Sequence, residues 1–281
     1  MDLVLPLLAS LAQAVSFTVD KTVLRLRHVT YKVYTGVSFP LLAAIDLVIF
    51  TVMRSSLQAD AFYNANLLFL LLSVALTLGT NVIFYRALHD DTLSEMETIN
   101  LFAIFPVIIL SGIIFASERN VFVLAAAFIA GGAVVWSHWD NHRFKIAKKS
   151  LPFLFWVLAI SPFASLINKE LLYVWNPVAL ELVRNAGVAV ILGPLFWREC
   201  KKIKGKAFGF LFITNALSAV AFILQGFSIQ RSGIVYTALV FSLLPIFTYF
   251  SSVFILKEKI EPKKVAAFVV VLGAIIAAKL I

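Results

Sequence analysis

Two stretches, FAIFPVIILSGIIFASERNVFVLAAAFIAGGAVV (Phe102–Val135) and FSLLPIFTYFSSVFILKEKIEPKKVAAFVVVLGAII (Phe241–Ile276), write one pattern twice. Each runs from a phenylalanine through a proline and an apolar run to a charged turn, at Glu118 or Glu258, then through Ala-Ala-Phe to Gly-Ala. Thr98, Phe102 and Pro106 align with Thr237, Phe241 and Pro245 at an offset of 139. Glu118 and Ala126-Ala127-Phe128 align with Glu258 and Ala266-Ala267-Phe268 at 140, and Gly132-Ala133 with Gly273-Ala274 at 141. Further upstream, DKTVL (Asp20–Leu24) echoes NKELL (Asn168–Leu172), so the repeating unit is most of half the chain.

The chain is 61% hydrophobic and 14% charged, with a mean hydropathy of +0.96. That leaves too little polar surface to coat a water-soluble body of 281 residues. A helix needs roughly 17–25 apolar residues to cross the hydrocarbon layer, where every backbone N–H and C=O must be satisfied within the segment. Ten stretches qualify, at 3–19, 34–53, 65–87, 97–116, 120–137, 151–169, 177–197, 207–228, 233–256 and 262–280. The expected fold is therefore all-α, an integral membrane protein of ten transmembrane helices in two five-helix repeats. Span 1 has neither a basic leading region nor an Ala-x-Ala cleavage site, so it is expected to be retained. One cysteine, Cys200, excludes an intrachain disulfide framework and a cysteine metal cluster.

The net charge of +9 is distributed as membrane topology would have it. Lys and Arg gather in the loops after spans 1, 5, 7 and 9, for example Arg25, Arg143, Lys201 and Lys263, and are sparse in the alternate loops. Positive residues in short loops stay in the cytoplasm, so both termini are expected on the non-cytoplasmic side of the cell (inner or plasma) membrane. The basic loops serve topology and lipid headgroups, and no nucleic acid partner is expected. Trp136, Trp139 and Trp197 fall at the cytoplasmic ends, as interfacial anchors do.

Five is odd, so the second copy must enter the membrane from the opposite side. The two halves are then related by a pseudo-two-fold axis in the membrane plane, the arrangement of secondary transporters, with a substrate site near the midplane between repeats. The residues that carry the repeat also resemble the EamA-type module of the drug/metabolite transporter superfamily, most closely from Pro245 to Ile276 and, one residue shorter before its Glu, from Pro106 to Val135. The resemblance implies residues 1–138 as a first EamA-like repeat, 139–150 as a basic cytoplasmic linker and 151–281 as the second, inverted repeat. It implies a cavity lined by spans 1–4 and 6–9, with spans 5 and 10 at the periphery. Spans 5 and 10 are in fact free of Ser, Thr, Asn, Gln, Tyr and charge from Val121 to Val135 and from Val265 to Ala278. Their Ala and Gly residues suit close helix packing.

Polar residues are spaced along one face of other spans. Span 1 carries Ser10, Gln13 and Ser16; span 3 carries Ser73, Thr77, Asn81 and Tyr85; span 6 carries Ser161, Ser165 and Asn168 or Lys169; span 8 carries Asn215, Ser218 and Gln225. An ionisable group at membrane depth is costly and marks a candidate functional position. Asp46 lies deep in span 2, and Glu181 and Arg184 lie three apart in span 7. The candidate substrate-binding residues are Gln13, Asp46, Asn81, Tyr85, Arg184, Asn215 and Gln225, with Asp46 and Glu181 as candidates for carrying a coupling proton. Asp46 would bind a cationic amine or a proton; Arg184 either pairs with Glu181 or grips a substrate carboxylate through its bidentate guanidinium. Lys21 and Lys169 are expected to extend to lipid headgroups, and Glu118 and Glu258 to cap the helices that follow them.

No nucleophile elbow, phosphate loop, pair of catalytic acids or metal-ligand spacing is present. Neither enzymatic activity, a cofactor nor a metal is expected. The expected function is secondary transport of a small polar metabolite, an amino acid or related compound, in the export direction, driven by a coupling proton or an exchanged metabolite. Proton-coupled efflux of cationic amphiphilic amines is the alternative, and a membrane enzyme or scaffold the third class. The lipid bilayer is the obligatory partner, and a homodimer is left open.

Overall fold

The computed structural model describes residues 2–26, 28–90, 93–137, 150–200, 203, 205–256 and 262–280. Among the described residues there is no strand. The helices are α1 (Val4–Leu24), α2 (Tyr31–Val52), α3 (Asn64–Asp90), α4 (Leu93–Ile114), α5 (Val121–Ser137), α6 (Leu151–Ala159), α7 (Ser161–Leu172), α8 (Pro177–Cys200), α9 (Gly205–Ser232), α10 (Ile234–Phe241), α11 (Leu244–Leu256) and α12 (Pro262–Leu280). Most of the basic linker expected at 139–150, and Glu258 with its turn, lie outside the described residues.

Val4–Leu24, Tyr31–Val52, Asn64–Asp90, Pro177–Phe196, Gly205–Ser232 and Ile234–Ser251 are each long and apolar enough to cross a membrane. Leu151–Ala159 and Ser161–Leu172 qualify together as one bent span, while Phe102–Ile114 and Val121–Ser137 are shorter apolar helices. Large apolar side chains such as Val52, Val121, Phe155, Val190 and Leu195 point outward, each at least two-thirds exposed, which water would penalise and hydrocarbon does not.

Two expected spans are broken rather than continuous, each beside a proline. Span 6 is bent by 41° between α6 and α7. Pro162, in the first turn of α7, has no N–H to give to the preceding turn, and its ring crowds the carbonyl four residues back. Span 9 divides at Ser242 and Leu243, where Pro245 cannot donate to Phe241. There Leu243 N bonds the carbonyl of Val240 in a tighter turn. Pro106, the counterpart in the first half, sits inside an unbroken α4.

The turn after α4 is held by three side chains with three destinations. Arg119 donates to the Gly112 and Ile113 carbonyls at 3.0 and 2.8 Å, closing the C-terminus of α4. Asn120 Oδ1 accepts from Phe122 and Val123 N at 3.0 and 3.2 Å, opening α5. Glu118 therefore does not cap α5, contrary to the expectation. It reaches across the fold to α10.

The helices with no polar residues pack on one another. α5 and α12 share an apolar cluster in which Ala126, Ala127 and Ala130 meet Val271, Ala274, Ile275 and Ala278. Not every small residue contributes: Gly132, Ala266 and Gly273 face outward. A second cluster joins α2 and α8 through Phe39, Leu42, Val188 and Leu192.

Candidate substrate cavity

A cavity of about 400 Å³ lies in the middle of the bundle. Its lining comes from α1, α2, α3, α4, α6, α7, α8, α9 and α10, and none of the lining residues is on α5, α11 or α12. Both halves of the chain thus contribute walls, and α5 and α12 stay outside them.

Six of the eight candidate binding or coupling residues line this cavity, Gln13, Asn81, Tyr85, Glu181, Arg184 and Gln225, as do Thr77, Ser161, Ser165, Asn168 and Ser218 of the polar stripes. Asn81 Nδ2 turns back to the Thr77 carbonyl at 2.8 Å. The Arg184 guanidinium pairs with Glu181 one turn earlier and donates to Asn168 Oδ1 at 3.1 Å, while its Nε has no hydrogen-bond partner among the described residues. A substrate carboxylate would therefore have to compete with Glu181 for the bidentate face of the guanidinium.

Asp46 and Asn215 stand behind the wall. Asp46 is fully buried; its Oδ2 accepts from Asn185 Nδ2 at 2.8 Å, and its Oδ1 has no partner among the described residues. Asn185 itself lines the cavity, one helical turn from Glu181, so Asp46 reaches the lumen only through that amide. Asn215 is 2% exposed and donates to Ser38 Oγ at 3.2 Å and to the Leu211 carbonyl at 2.7 Å, fastening α9 to α2.

Sequence reasoning passed over several groups. Asn185 lies at i+4 from Glu181 and was legible by spacing. Thr80, Asn100 and Thr237 also line the cavity without belonging to a polar stripe. Asp20, seen in sequence only as part of the echo DKTVL, is fully buried and accepts from the hydroxyls of Tyr34, Thr214 and Tyr85, the last at 3.3 Å. The Tyr34 and Tyr85 rings lie 4.3 Å apart beside it.

The two lysines behave differently from the headgroup anchors expected. Lys21 is buried and donates to the Leu88 carbonyl. Lys169 is buried in an ion pair with Glu118, 4.3 Å from the centre of the Phe115 ring and 3.4 Å from Ser117 Oγ. The same Glu118 carboxylate accepts from Ile234 N at 2.8 Å and Val235 N at 3.0 Å, so it caps α10. At such a depth two charges are tolerable only when each finds the other and further hydrogen bonds. Gly233 precedes α10 with φ of +85°, and a Cβ there would fall 2.5 Å from Glu118 Oε1; the close approach requires glycine. A second cavity of about 650 Å³, lined by Lys169, Glu118, Gln230 and Arg231, opens beside this clasp.

Among the described residues no group of three or more His, Cys, Asp or Glu could hold a metal ion. Residues 148–279 match the model of the EamA-like transporter family. A crystal structure described only as that of a protein shares the fold with a TM-score of 0.75 at 13% identity, covering 99% of this chain and 96% of its own. No curated protein matches the chain in sequence. The family match thus lies in the second half of the chain, whereas the likeness in fold runs over nearly all of it.

Proposed function

We propose that the protein is a secondary transporter that carries a small polar metabolite, an amino acid or a related compound, out of the cell by alternating access to the central cavity. The observation that carries this reading is the cavity itself. It is enclosed by helices from both halves, polar along α3, α7 and α9, and large enough at about 400 Å³ for a small metabolite.

Ten crossings and an inverted repeat belong to the same proposal, with α1–α5 (within 1–138) as one repeat and α6 to α12 (within 151–281) as the other. The bent pair α6/α7 and the pair α10/α11 then each count as one crossing. The packing supports it. α1 lies on α9, and the counterparts of these two, α6/α7 and α3, also lie on each other. Among the other cross-half contacts, α2 with α8, α4 with α10 and α11, and α5 with α12 join a helix to its own counterpart, while α1 with α11 answers to α4 with α6/α7, and α2 with α9 to α3 with α8. Exchanging the halves maps these pairs onto one another, as a two-fold axis requires; the packing of α5 on α10, which α4 and α12 do not match, stands outside the pattern. Rocking one half against the other would open the cavity to each side in turn.

A second reading, proton-coupled export of an organic amine, is favoured by an acidic excess on this side of the cavity: Glu181 in the wall and Asp46 behind Asn185 are set against one cation, Arg184. Reconstitution separates the readings. Proteoliposomes are expected to exchange a labelled amino acid against the same compound inside, and Arg184→Gln is expected to abolish that exchange. Flux of amines that survives Arg184→Gln and is lost with Asp46→Asn would favour the second reading instead. Absence of flux for amino acids, amines and sugars, under a proton gradient and in exchange, would overturn the transporter assignment.

A further inference from the structure

We infer that Asp20 is a proton-binding site of this protein, loaded and unloaded from the central cavity through the hydroxyls of Ser218, Ser16 and Thr214. The inference rests on the transporter reading of the cavity and assigns the coupling proton to a residue of α1 rather than to Asp46 or Glu181.

The route is continuous. Ser218 lines the cavity. Its Oγ lies 2.7 Å from Ser16 Oγ, which lies 2.7 Å from Thr214 Oγ1, and Thr214 Oγ1 donates to Asp20 Oδ1. With Asp20 ionised, Thr214 donates to the carboxylate, and the row can align behind it with Ser16 donating to Thr214 and Ser218 to Ser16, although Ser16 Oγ also has the Thr214 carbonyl within reach at 3.2 Å. Each hydroxyl oxygen can also accept. A proton arriving at Ser218 from the cavity is passed on as each oxygen takes one proton and releases its own to the next. The row ends reversed, with a neutral carboxylic acid donating to Thr214. No bond other than O–H changes and no co-reactant is consumed.

The surroundings suit a proton rather than a metal ion or a fixed ion pair. Both positions on Oδ1 are filled by the hydroxyls of Tyr34 and Thr214, and Oδ2 accepts from Tyr85. Three donors aimed at the carboxylate leave little for a metal to displace. No salt bridge to Asp20 occurs among the described residues. The titratable groups facing it are Tyr34 from α2 and Tyr85 from α3; Lys21, next in the chain, is turned to the Leu88 carbonyl. α9 offers only the uncharged Thr214, Asn215 and Ser218, and the α11 contact nearby is Ser251 on Thr18. Asp46 has no such route, because the Asn185 amide that separates it from the cavity donates but does not relay. Glu181 is held by Arg184. Asn168, the residue that answers to Asp20 in the second repeat, binds Arg184 and has no proton to exchange.

Loading has a mechanical consequence. Charge-assisted hydrogen bonds are about twice as strong as neutral ones, and the Asp20 carboxylate ties α1 to α2, α3 and α9. Neutralising it loosens that knot and releases Tyr85, whose side chain is part of the cavity wall. A ligand that distinguishes two conformations shifts their balance, and here the proton is that ligand.

Infrared difference spectra of the purified full-length protein after a pH jump test the site without requiring transport. A protonated-carboxyl C=O band is expected that disappears in Asp20→Asn; a spectrum indifferent to that substitution would overturn the proposal. Thr214→Val is expected to slow appearance of the band and Thr214→Ser to restore its rate, so equal rates in all three proteins would overturn the relay even if Asp20→Asn does not fold. In proteoliposomes, Asp20→Asn is expected to lose substrate-driven proton movement while substrate-for-substrate exchange continues, and retained proton movement would count against Asp20. If wild type moves no substrate yet shows the band, the proton site stands and the transporter reading falls.

Discussion

Glu118 shows how one carboxylate can hold three elements at once: Lys169 on α7, the first turn of α10, and the turn after α4 from which it projects. Both members of the pair are less than one-tenth exposed, so solvent screening offers little relief when one is removed. Lys169→Met leaves Glu118 charged with only two amides, and Glu118→Gln leaves Lys169 charged beside a neutral amide and a ring. Each single substitution is expected to destabilise the protein by about 3–5 kcal/mol, the range for breaking a buried pair. The double variant is expected to cost clearly less than the two together, read as thermal unfolding in detergent; strict additivity would mean no coupling between the two charges. The charged turn was visible in the sequence, but its partner was not. Periodicity reports which residues share a helix face, whereas Ile234 lies 116 positions away and meets Glu118 only through packing of one half on the other. Asp20 was missed for a related reason: a charge near a helix end reads as interfacial, and only tertiary contacts show it under Tyr34, Tyr85 and Thr214. Gln13, Asn81 and Gln225 were legible because spacing alone carried them to a common face.

At the scale of elements, the absence of polar residues from α5 and α12 was the most informative pattern. A helix with nothing to offer a polar ligand belongs outside the cavity, and the two pack on each other through alanines. Ala127 is fully buried in that seam, so Ala127→Leu forces side chains into a filled space and is expected to cost about 1–3 kcal/mol. Gly132 and Gly273 are exposed, and a methyl group added at either would meet nothing within 4 Å. Gly132→Ala and Gly273→Ala are therefore expected to stabilise by up to about 1 kcal/mol through helix propensity. Thermal unfolding that ranked these three variants the other way round would contradict the assigned faces. What the pattern could not reveal is helix continuity. Pro106 and Pro245 occupy matching positions, yet α4 runs through the first and the chain breaks before the second. Proline removes one hydrogen bond in both, and neighbouring helices decide whether the remaining bonds hold the axis.

For the whole molecule, an odd-numbered repeating unit ties together claims that would otherwise be separate: inversion of the second copy, a cavity between the halves, and termini on one face. Basic loops after spans 1, 5, 7 and 9 would be retained in the cytoplasm. With ten crossings, the N-terminus and Ile281 then share the opposite side. An alkaline phosphatase fused after Ile281 is expected to be active and a fluorescent protein at the same position dark, since the first needs export and the second the cytoplasm. The same reporters placed between Trp139 and Lys149 are expected to give the reverse outcome. A fluorescent C-terminus together with a cytoplasmic linker would mean that α6 to α12 cross the membrane an even number of times rather than five. In that case the halves could not be related by an axis in the membrane plane, and the matching pattern of α1 on α9 and α7 on α3 would need another origin. Because the proposed alternating access would follow from the inversion rather than from any single side chain, this fusion series tests that proposal before a substrate is known.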